Sequence, residues 1–309
     1  MGSRGEVNMA AVTSPHTINL QIGSVCCAIR YRDDEVDSML RRLYHDFITE
    51  NPADITIELK ETSRMNPDDL ETVVARSEYI QEKNRFRTTE KIISGRYDLL
   101  RRTIRIAGDK NLLNPDLEVN HLNQLLTMAY YAACVMKYKN NPPEMLVHAC
   151  GIVHDGYVII FSGPSESGKS TIARLCSERH IEVINDEMLL VSRPGLNGSV
   201  SVRNAPIIGE FQPRRSIAAP LRCVFLLKKG DSTRLHSIDK ADAYLHFIRQ
   251  VISPSCIGQK DKRSVYSLMA DFSADITNNV PVYELEFNLD GESLWRIIES
   301  VNGAHGGKG

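Results

Sequence analysis

The segment from Gly163 to Ser170, GPSESGKS, fits the pattern G-x-x-x-x-G-K-[ST] without a mismatch. It follows the apolar run YVIIFS, which is typical of a buried strand. It precedes STIARLCSER, in which Ile172, Leu175 and Cys176 share one side of a predicted helix. A glycine-rich loop between a strand and a helix is the context in which this pattern surrounds a phosphate group. The segment therefore predicts an α/β core with a nucleotide-phosphate site at the end of a strand.

The residue types of this loop suit nucleotide phosphates. Glycines let the main chain approach closely and turn backbone N–H groups toward phosphate oxygens, and the next helix adds its N-terminal amides. Lys169 is expected to reach the β- and γ-phosphates, and the Ser170 hydroxyl is expected to be a ligand of Mg²⁺. We therefore predict ATP and Mg²⁺ as cofactors. The predicted nucleotide-binding residues are Gly163, Ser165, Glu166, Ser167, Gly168, Lys169, Ser170 and Thr171.

A second strand is predicted immediately before the loop strand. EMLVHACGIV and YVIIFS flank HDGY, and Asp155-Gly156 is a strong signal for a two-residue hairpin turn. Because so tight a turn fixes the register, His154 should face Tyr157, and His148 should lie opposite Gly163 at the mouth of the loop. The hairpin also predicts that the sheet is partly antiparallel.

Two adjacent acidic residues follow the loop helix, in HIEVINDEMLLV. Glu182 and Asn185 interrupt the apolar run, so the segment is a poor match to a generic Walker B strand. It nevertheless places Asp186 and Glu187 near the phosphates. Two carboxylates at that point can divide two tasks, since one can bind Mg²⁺ and the other can accept a proton from a hydroxyl.

The span from LVHACGIVHDGYVIIFSGPSESGKST to VINDEMLLV resembles the catalytic core of HPr kinase/phosphorylase and its related kinases. That group is similar to phosphoenolpyruvate carboxykinase around the nucleotide. The family has a histidine on the first strand of a hairpin, a Walker loop after the second strand and an acidic pair after the loop helix. The resemblance covers residues 145 to 250 and implies a mixed, partly antiparallel P-loop kinase core, preceded here by a smaller α+β domain.

The resemblance also implies roles for single residues. Asp186 would be the general base on the acceptor hydroxyl, His148 would lie beside it, and Glu187 would be on the metal side. In RNAPIIGEFQPRRS, the family places a glutamate near magnesium, which corresponds to Glu210.

Two arginines follow that glutamate, and either could steady the transferring phosphoryl group, although ordinary surface charges are an equal alternative. The predicted catalytic residues are Asp186, His148, Lys169, Arg214 and Arg215, and the predicted metal ligands are Ser170, Glu187 and Glu210.

Two departures from the family pattern limit what the resemblance implies. Bifunctional members have Glu after the Lys-Ser pair, whereas this chain has Thr171. GEFQPRRS stands about where the family has a Gly-rich signature that is linked to phosphorylase activity. The resemblance therefore extends to phosphoryl transfer but not to phosphorylase activity, and it does not identify HPr as the acceptor.

Composition excludes several classes of partner. The 309-residue chain has a net charge of −2 with 42% hydrophobic and 25% charged residues, so we expect a folded protein without attraction to nucleic acid or anionic membranes. It has neither a bilayer-spanning apolar run nor a signal-peptide core, and we predict a cytoplasmic protein. The seven cysteines are odd in number and lack zinc spacing, which favours buried free thiols.

The N-terminal part contains no recognised motif. TINLQIGSVCCAIRY predicts two strands around Gly23-Ser24, DDEVDSMLRRLYHDFI predicts a helix and DITIEL another strand. RFRTTEKIISGRYDLLRRTIRIAG predicts a meander of strands with Gly95 in a turn. Its arginines could bind an acidic partner, although solvated strand residues are the favoured interpretation; they are Arg96, Arg101, Arg102 and Arg105.

A long helix is predicted from a cap at Asn114 to the segment KYKNNPP. Its apolar stripe consists of Leu122, Leu125, Leu126, Ala129 and Ala133. We place a domain boundary at the end of this helix. The prediction is an α+β N-terminal domain over residues 1–140 as an acceptor platform, a kinase-like catalytic domain over 141–303, and a flexible tail over 304–309.

The favoured function is transfer of the γ-phosphoryl group of ATP to a hydroxyl, with a serine of a peptide, protein or small molecule as the first choice. Relatives of this kind also phosphorylate precursor peptides of natural products. The alternative is a nucleotide-binding regulatory module that transfers nothing. A carboxykinase fits poorly, because those enzymes are longer and need a Lys/His metal site that the sequence lacks. Related enzymes form oligomers, but no coiled-coil heptad argues for one here.

Overall fold

The computed structural model describes residues 15–61, 85–87, 93–98, 100–108, 120–138, 141–211, 216–253 and 262–303. The first elements are β1 (His16–Ile22), β2 (Val25–Tyr31), α1 (Asp34–Tyr44), a 3₁₀ turn (His45–Phe47), β3 (Ile55–Glu61), β4 (Arg85–Arg87), β5 (Ile93–Asp98), β6 (Thr103–Gly108) and α2 (Asn120–Tyr138). They are followed by β7 (Glu144–His154), β8 (Tyr157–Ser162), α3 (Lys169–Glu178), β9 (Glu182–Asn185), β10 (Met188–Ser192), β11 (Ser201–Asn204), β12 (Ala218–Lys229), β13 (Arg234–Ser237), α4 (Lys240–Ile248), α5 (Lys262–Asn279), β14 (Val282–Phe287) and α6 (Gly291–Gly303).

The first six strands form one mixed sheet in the order β1-β2-β3-β6-β5-β4. The hairpin predicted around Gly23 and Ser24 is confirmed, because β1 and β2 pair antiparallel from Ile22 and Val25 outward. β2, β3 and β6 run parallel to one another, whereas β6, β5 and β4 form the predicted antiparallel meander.

The prediction of a turn at Gly95 is wrong. Gly95 lies inside β5, where it pairs with Phe86 on one side and with Ile106 on the other. The turn before β6 contains Arg102, whose φ of 51° lies in the left-handed region. A polar residue that accepts this backbone conformation therefore makes the turn, and the isolated glycine is tolerated within a paired strand.

α2 connects the two sheets. The five residues of its predicted apolar stripe are all buried, which confirms the stripe. Tyr130, Tyr131 and Cys134 are buried as well, so α2 is a central helix rather than a surface helix. It packs on β2 and β3. Its two tyrosine hydroxyls donate to the carbonyls of Glu144 and Ile252, at 2.8 and 2.7 Å. The predicted cap at Asn114 lies outside the described residues.

The second sheet has eight strands in the order β11-β10-β7-β8-β12-β14-β13, with β9 paired to β7. β7 is antiparallel to β8, β9 and β10, whereas β8, β12 and β14 are mutually parallel. β11 also pairs with the first residues of β12, so that β10, β7, β8, β12 and β11 close into a ring. The prediction of a mixed, partly antiparallel α/β core is confirmed at this level.

Apolar side chains cover both faces of the second sheet. The larger cluster runs from the first sheet through α2 to β7, β10, α4 and α5. The smaller cluster lies on the opposite face, beneath α3 and α6, and contains Cys150, Phe161 and Ile172. The six cysteines in the described residues are buried and free, as predicted, and Cys256 lies outside these residues. Within the same residues, no helix combines the length and apolarity needed to cross a membrane.

A buried carboxylate joins the first hairpin to the second sheet. Glu144 begins β7 and accepts a hydrogen bond from the backbone N–H of Ser24. The Ser24 carbonyl accepts hydrogen bonds from Lys137 and Tyr138 of α2, at 2.9 and 3.2 Å. Gly23 has a φ of 55°, and a Cβ placed there would overlap the Glu144 carboxylate. This turn therefore needs glycine both for its backbone conformation and for space.

We expect Gly23→Ala to destabilise the protein more than Gly156→Ala, a matched change in the β7–β8 turn. The two glycines have φ values of 55° and 77°, so both changes carry a left-handed penalty of about 1–2 kcal/mol. No described atom lies within 4 Å of a Cβ placed at Gly156. Because the Glu144 side chain is buried and cannot swing into water, Gly23→Ala should lower the free energy of unfolding by a further ~1–3 kcal/mol. Urea denaturation measures both variants, and equal losses would contradict the expectation.

Candidate active site

The predicted strand, loop and helix are present, because β8 ends at Ser162 and α3 begins at Lys169. The loop between them, Gly163–Gly168, contains two left-handed residues. Glu166 has a φ of 62° and Gly168 a φ of 104°. Left-handed residues in a short loop are the arrangement by which successive N–H groups converge on an anion.

The N-terminus of α3 is open, because its N-cap residue, Gly168, has no side chain to accept a hydrogen bond. The Ser167 hydroxyl lies just before it, is buried, and has no hydrogen-bond partner within the described structure. An unsatisfied buried hydroxyl costs about 1–3 kcal/mol, and a helix N-terminus attracts negative charge. Both features fit a bound anion at the loop.

Lys169 holds a positive charge against the loop. Its side chain is almost completely buried, and the ammonium group donates to the carbonyls of Gly163 and Pro164, at 2.9 and 3.0 Å. Burial lowers the pKa of Lys169, while Glu187 and Asp186 act in the opposite direction and favour the charged form. The lysine is therefore electrostatically coupled to both acidic residues.

The acidic pair connects β9 to β10, and both strands pair antiparallel with the same edge of β7. Gly151 pairs with Asn185 and His148 pairs with Met188, so the same register continues on both sides of the pair. The register shifts by one residue earlier in β9, between the Ile152–Val183 and Gly151–Asn185 pairs, and it is constant from Asn185 across the acidic pair to Met188.

Asn185 shapes this interruption. Its side-chain oxygen accepts hydrogen bonds from the N–H groups of Glu187 and Met188, at 2.7 and 3.0 Å, which makes an Asx turn. Its amide donates to the Ile207 carbonyl at 2.8 Å. Asn185 therefore holds the acidic pair in place and ties it to the segment 205–211.

Asp186 lies against α3 and the segment 205–211. Its Oδ1 accepts a hydrogen bond from the Phe211 N–H at 3.0 Å, and the Ser170 hydroxyl lies beside the carboxylate. Burial raises the pKa of Asp186, the Phe211 N–H and the Ser170 hydroxyl oppose that shift, and the negative charge of Glu210 adds to it.

Glu187 lies beside His148 at the mouth of the loop. The predicted hairpin register is confirmed, because His154 pairs with Tyr157 and Ala149 with Ser162, which brings His148 level with Gly163. The His148 Nε2 is 3.8 Å from the Glu187 Oε2, too far for a hydrogen bond. Burial raises the pKa of Glu187, Asp186 raises it further, and Lys169 opposes the shift.

His148 is neutral at pH 7. Burial lowers the pKa of His148 to about 4, and the neighbouring Lys169 charge acts in the same direction. A neutral imidazole has one nitrogen that donates and one that accepts, so it can orient a carboxylate or a hydroxyl. Strongly shifted groups that converge on one point are typical of functional sites.

The remaining predicted residues surround this centre. Glu210 is exposed and forms an ion pair with Arg174 of α3. Ser165 and Glu166 are exposed in the loop, and Thr171 is half-buried in the first turn of α3. Arg214 and Arg215 lie outside the described residues.

The residues suited to bind Mg²⁺ in this site are Ser170 and Asp186. In the part of the chain that the structure describes, no group of three or more His, Cys, Asp or Glu residues is arranged to hold a metal ion. Mg²⁺ at a nucleotide site does not need such a group, since it takes one or two carboxylates and completes its shell with phosphate oxygens and water. The Ser170 hydroxyl next to the Asp186 carboxylate fits that donor set.

Residues 113–302 match the family described as "SynChlorMet cassette protein ScmC", and this range is more than half of the chain. The chain belongs to the ScmC family. The matched range contains the Gly163–Gly168 loop, His148 and the acidic pair. The family description names no substrate and no reaction.

No curated protein matches this ScmC family chain in sequence. Among solved structures, the HPr(Ser) kinase/phosphatase from Coxiella burnetii is similar over 52% of this chain and 95% of its own, with 12% identity and a TM-score of 0.28. So low a TM-score supports no transfer of activity between the two chains. The function has to be inferred from the residues of the site.

Two asparagines that support this site in the ScmC family chain were missed from the sequence. In the sequence Asn185 stands only as a break in the apolar run, although an Asn that precedes two turn residues is an Asx-turn signal. Asn123 of α2 donates to the Ile208 carbonyl at 2.7 Å and accepts from the Ile208 N–H at 2.8 Å. Its partner is 85 residues away in the chain, and no local pattern could have indicated it.

The low pKa of His148 predicts a pH-dependent stability. The folded pKa is about 4 and the unfolded pKa about 6.5, so between these values the unfolded chain binds a proton that the folded chain does not. This stability is present above pH 6.5 and is lost as the pH falls toward 4. Between pH 7.5 and 4.5, the native protein should lose about 2 kcal/mol more unfolding free energy than His148→Gln, after allowance for solvent screening.

Urea denaturation of both proteins at the two pH values gives this difference, in which the contributions of the carboxylates largely cancel. His236→Gln is the matched control, because His236 lies on the exposed side of β13. A pH dependence that is the same in the native protein and in His148→Gln would contradict a neutral, buried His148.

Proposed function

We propose that this chain is an ATP- and Mg²⁺-dependent kinase that transfers the γ-phosphoryl group to a hydroxyl of a peptide, a protein or a small molecule, with serine as the first candidate. The observation that carries the proposal is the convergence of the Gly163–Gly168 loop, two carboxylates and a histidine at the end of β8. A module that only binds nucleotide needs the loop but has no use for a second carboxylate beside a neutral imidazole.

In this proposal the loop binds the phosphates of ATP. The N–H groups around Gly168, the Ser167 hydroxyl and the Lys169 ammonium donate to phosphate oxygens, and Lys169 gives up its contacts with the Gly163 and Pro164 carbonyls to do so. The exposed residues Ser165 and Glu166 form the rim of the loop, and Thr171 follows in the first turn of α3.

The acidic pair serves the transfer itself. Phosphoryl transfer depends mainly on positioning and on neutralising charge, so the chain needs a metal ligand and a group that accepts the hydroxyl proton. When bound, Mg²⁺ would neutralise charge on the phosphates, with the Ser170 hydroxyl and a carboxylate as its protein ligands. His148 would orient the second carboxylate or the incoming hydroxyl. Phosphorylase activity is not part of the proposal.

The direct test is transfer of label from [γ-³²P]ATP in the presence of Mg²⁺. The acceptors would be a library of serine, threonine and tyrosine peptides and a panel of small alcohols. Lys169→Met should weaken ATP binding and reduce transfer on the order of 100-fold, because it removes a charge-assisted contact with the transferring group. Lys240→Met is the matched control, since Lys240 is exposed in the first turn of α4 and has no part in the proposed site.

The outcomes separate the proposal from the alternative of a regulatory module. Binding of ATP to the native protein with no transfer to any acceptor or to water would favour the module. Absence of ATP binding would contradict both.

Ser167→Ala should have opposite effects on the free protein and on its complex with ATP. The Ser167 hydroxyl is buried without a partner, so its removal should leave the unfolding free energy unchanged or raise it by up to about 1 kcal/mol. The same change should weaken ATP binding about tenfold, because one donor to phosphate is lost. Thermal unfolding and calorimetric titration measure the two effects, and exposed Ser177→Ala is the control. Unchanged ATP affinity would contradict a phosphate contact of Ser167.

A further inference from the structure

The two adjacent carboxylates differ sharply in their access to solvent. Asp186 is buried, with 3% of the whole residue exposed, whereas Glu187 is half-buried as a residue and 39% of its side chain is exposed. An acceptor hydroxyl arrives from solvent and has to come within hydrogen-bonding distance of the base that takes its proton. Glu187 can be reached in this way without any rearrangement, and Asp186 cannot.

The surroundings of Asp186 are already filled. One oxygen accepts the Phe211 N–H, and the Ser170 hydroxyl lies beside the same carboxylate. The main chain of Gly209 is so close that a Cβ there would lie 2.2 Å from the Asp186 Oδ1. These contacts separate the Asp186 carboxylate from an acceptor that arrives from solvent. In P-loop enzymes generally, the loop Ser or Thr and an Asp from a nearby strand hold Mg²⁺ together, and Ser170 with Asp186 has this arrangement.

The surroundings of Glu187 have the opposite character. Its carboxylate is on the open side of the turn, 3.8 Å from the His148 imidazole. His148 is level with Gly163, where the loop begins, so Glu187 faces the entrance to the loop. Glu187 also favours the charged form of Lys169 and therefore raises the pKa of that lysine.

The chain keeps the two side chains apart by its backbone. Both residues lie in the bend between β9 and β10, where Asn185 holds the Glu187 and Met188 amides in a fixed turn. In this bend the Asp186 side chain lies beside Ser170 of α3, and the Glu187 side chain lies beside His148 of β7. The two carboxylates do not exchange places without breaking these hydrogen bonds.

Resting on the proposed kinase function, we infer that Glu187 is the general base and that Asp186, with Ser170, holds Mg²⁺. This is the reverse of the division that the family resemblance implies. The acceptor O–H bond breaks and its proton passes to the Glu187 carboxylate. The acceptor oxygen forms a bond to the γ-phosphorus, the bond from that phosphorus to the β–γ bridging oxygen breaks, and ADP leaves. The proton on Glu187 then passes to solvent.

Metal binding tests one half of the division without any acceptor. Mg²⁺ is titrated by calorimetry into the full chain saturated with a non-hydrolysable ATP analogue. Asp186→Asn, which can still accept the Phe211 N–H, should weaken Mg²⁺ binding by tenfold or more, and Ser170→Ala should weaken it in the same direction. Glu187→Gln should stay within about twofold of the native protein. Exposed Glu178→Gln is the matched control for removal of a charge on α3.

Phosphoryl transfer tests the other half, in single turnovers at saturating Mg²⁺ and ATP. Glu187→Gln should lower the transfer rate on the order of 10²- to 10⁴-fold, the usual effect of removing a general base, and Glu187→Asp should restore part of it. Weak Mg²⁺ binding in Glu187→Gln with normal binding in Asp186→Asn would overturn the inference. Full transfer by Glu187→Gln would overturn it as well.

Failure of the inference is distinguishable from failure of the proposed function. If the native protein binds no ATP, the kinase proposal fails and the inference fails with it. If the native protein binds Mg²⁺ with the nucleotide but transfers nothing, the kinase proposal fails, while the titrations of Asp186→Asn and Glu187→Gln still support or overturn the metal assignment. Thermal unfolding of each variant shows that the comparison is made between folded proteins.

Discussion

The hydrogen bonds of β7 bring the functional groups of this protein together. On one side the strand pairs with β8, which leads directly into the Gly163–Gly168 loop, and on the other it pairs with β9 and β10, which flank the acidic pair. His148 is the last residue of β7 that pairs with β10, and the next residue, Ala149, is the first that pairs with β8. A shift of one residue in either ladder would turn His148 to the opposite face of the sheet and separate it from Glu187.

Three charged side chains beside this strand are held where desolvation disfavours their charged forms. Lys169, Asp186 and Glu187 are all partly or largely removed from water, and burial is the leading cause of each pKa shift. Burial of charges is costly unless they are paired, and here the lysine is coupled to two carboxylates while backbone groups satisfy what remains. An anion with its counter-ion would complete this balance, because it adds negative charge beside the lysine and positive charge beside the carboxylates.

Local signals predicted much of this arrangement from the sequence. The Asp155-Gly156 turn is so short that it determines the register of two strands, and the position of His148 follows from counting. The loop and the helix after it were predictable because the two glycines and the Lys-Ser pair have a spacing that few other structures require. Gly95 shows the limit of such signals, because a single glycine without neighbouring turn residues is compatible with a paired strand.

Long-range contacts could not be predicted in the same way. Asn123 and Ile208 are joined by two hydrogen bonds across 85 residues, and the different burial of Asp186 and Glu187 depends on Gly209 and Phe211 from a later segment. The sequence marks such residues only as polar or small. Their roles become visible when the packing around them is known.

The position of α2 has a consequence for the boundaries of the protein. The region that matches the ScmC family begins at residue 113 and therefore includes α2 but not β2 and β3, on which α2 packs. A fragment cut at that boundary would expose apolar side chains such as Leu126 and Ala129 to water and would free Lys137 from the Ser24 carbonyl. In the full chain, the first sheet and the matched region therefore share one apolar cluster.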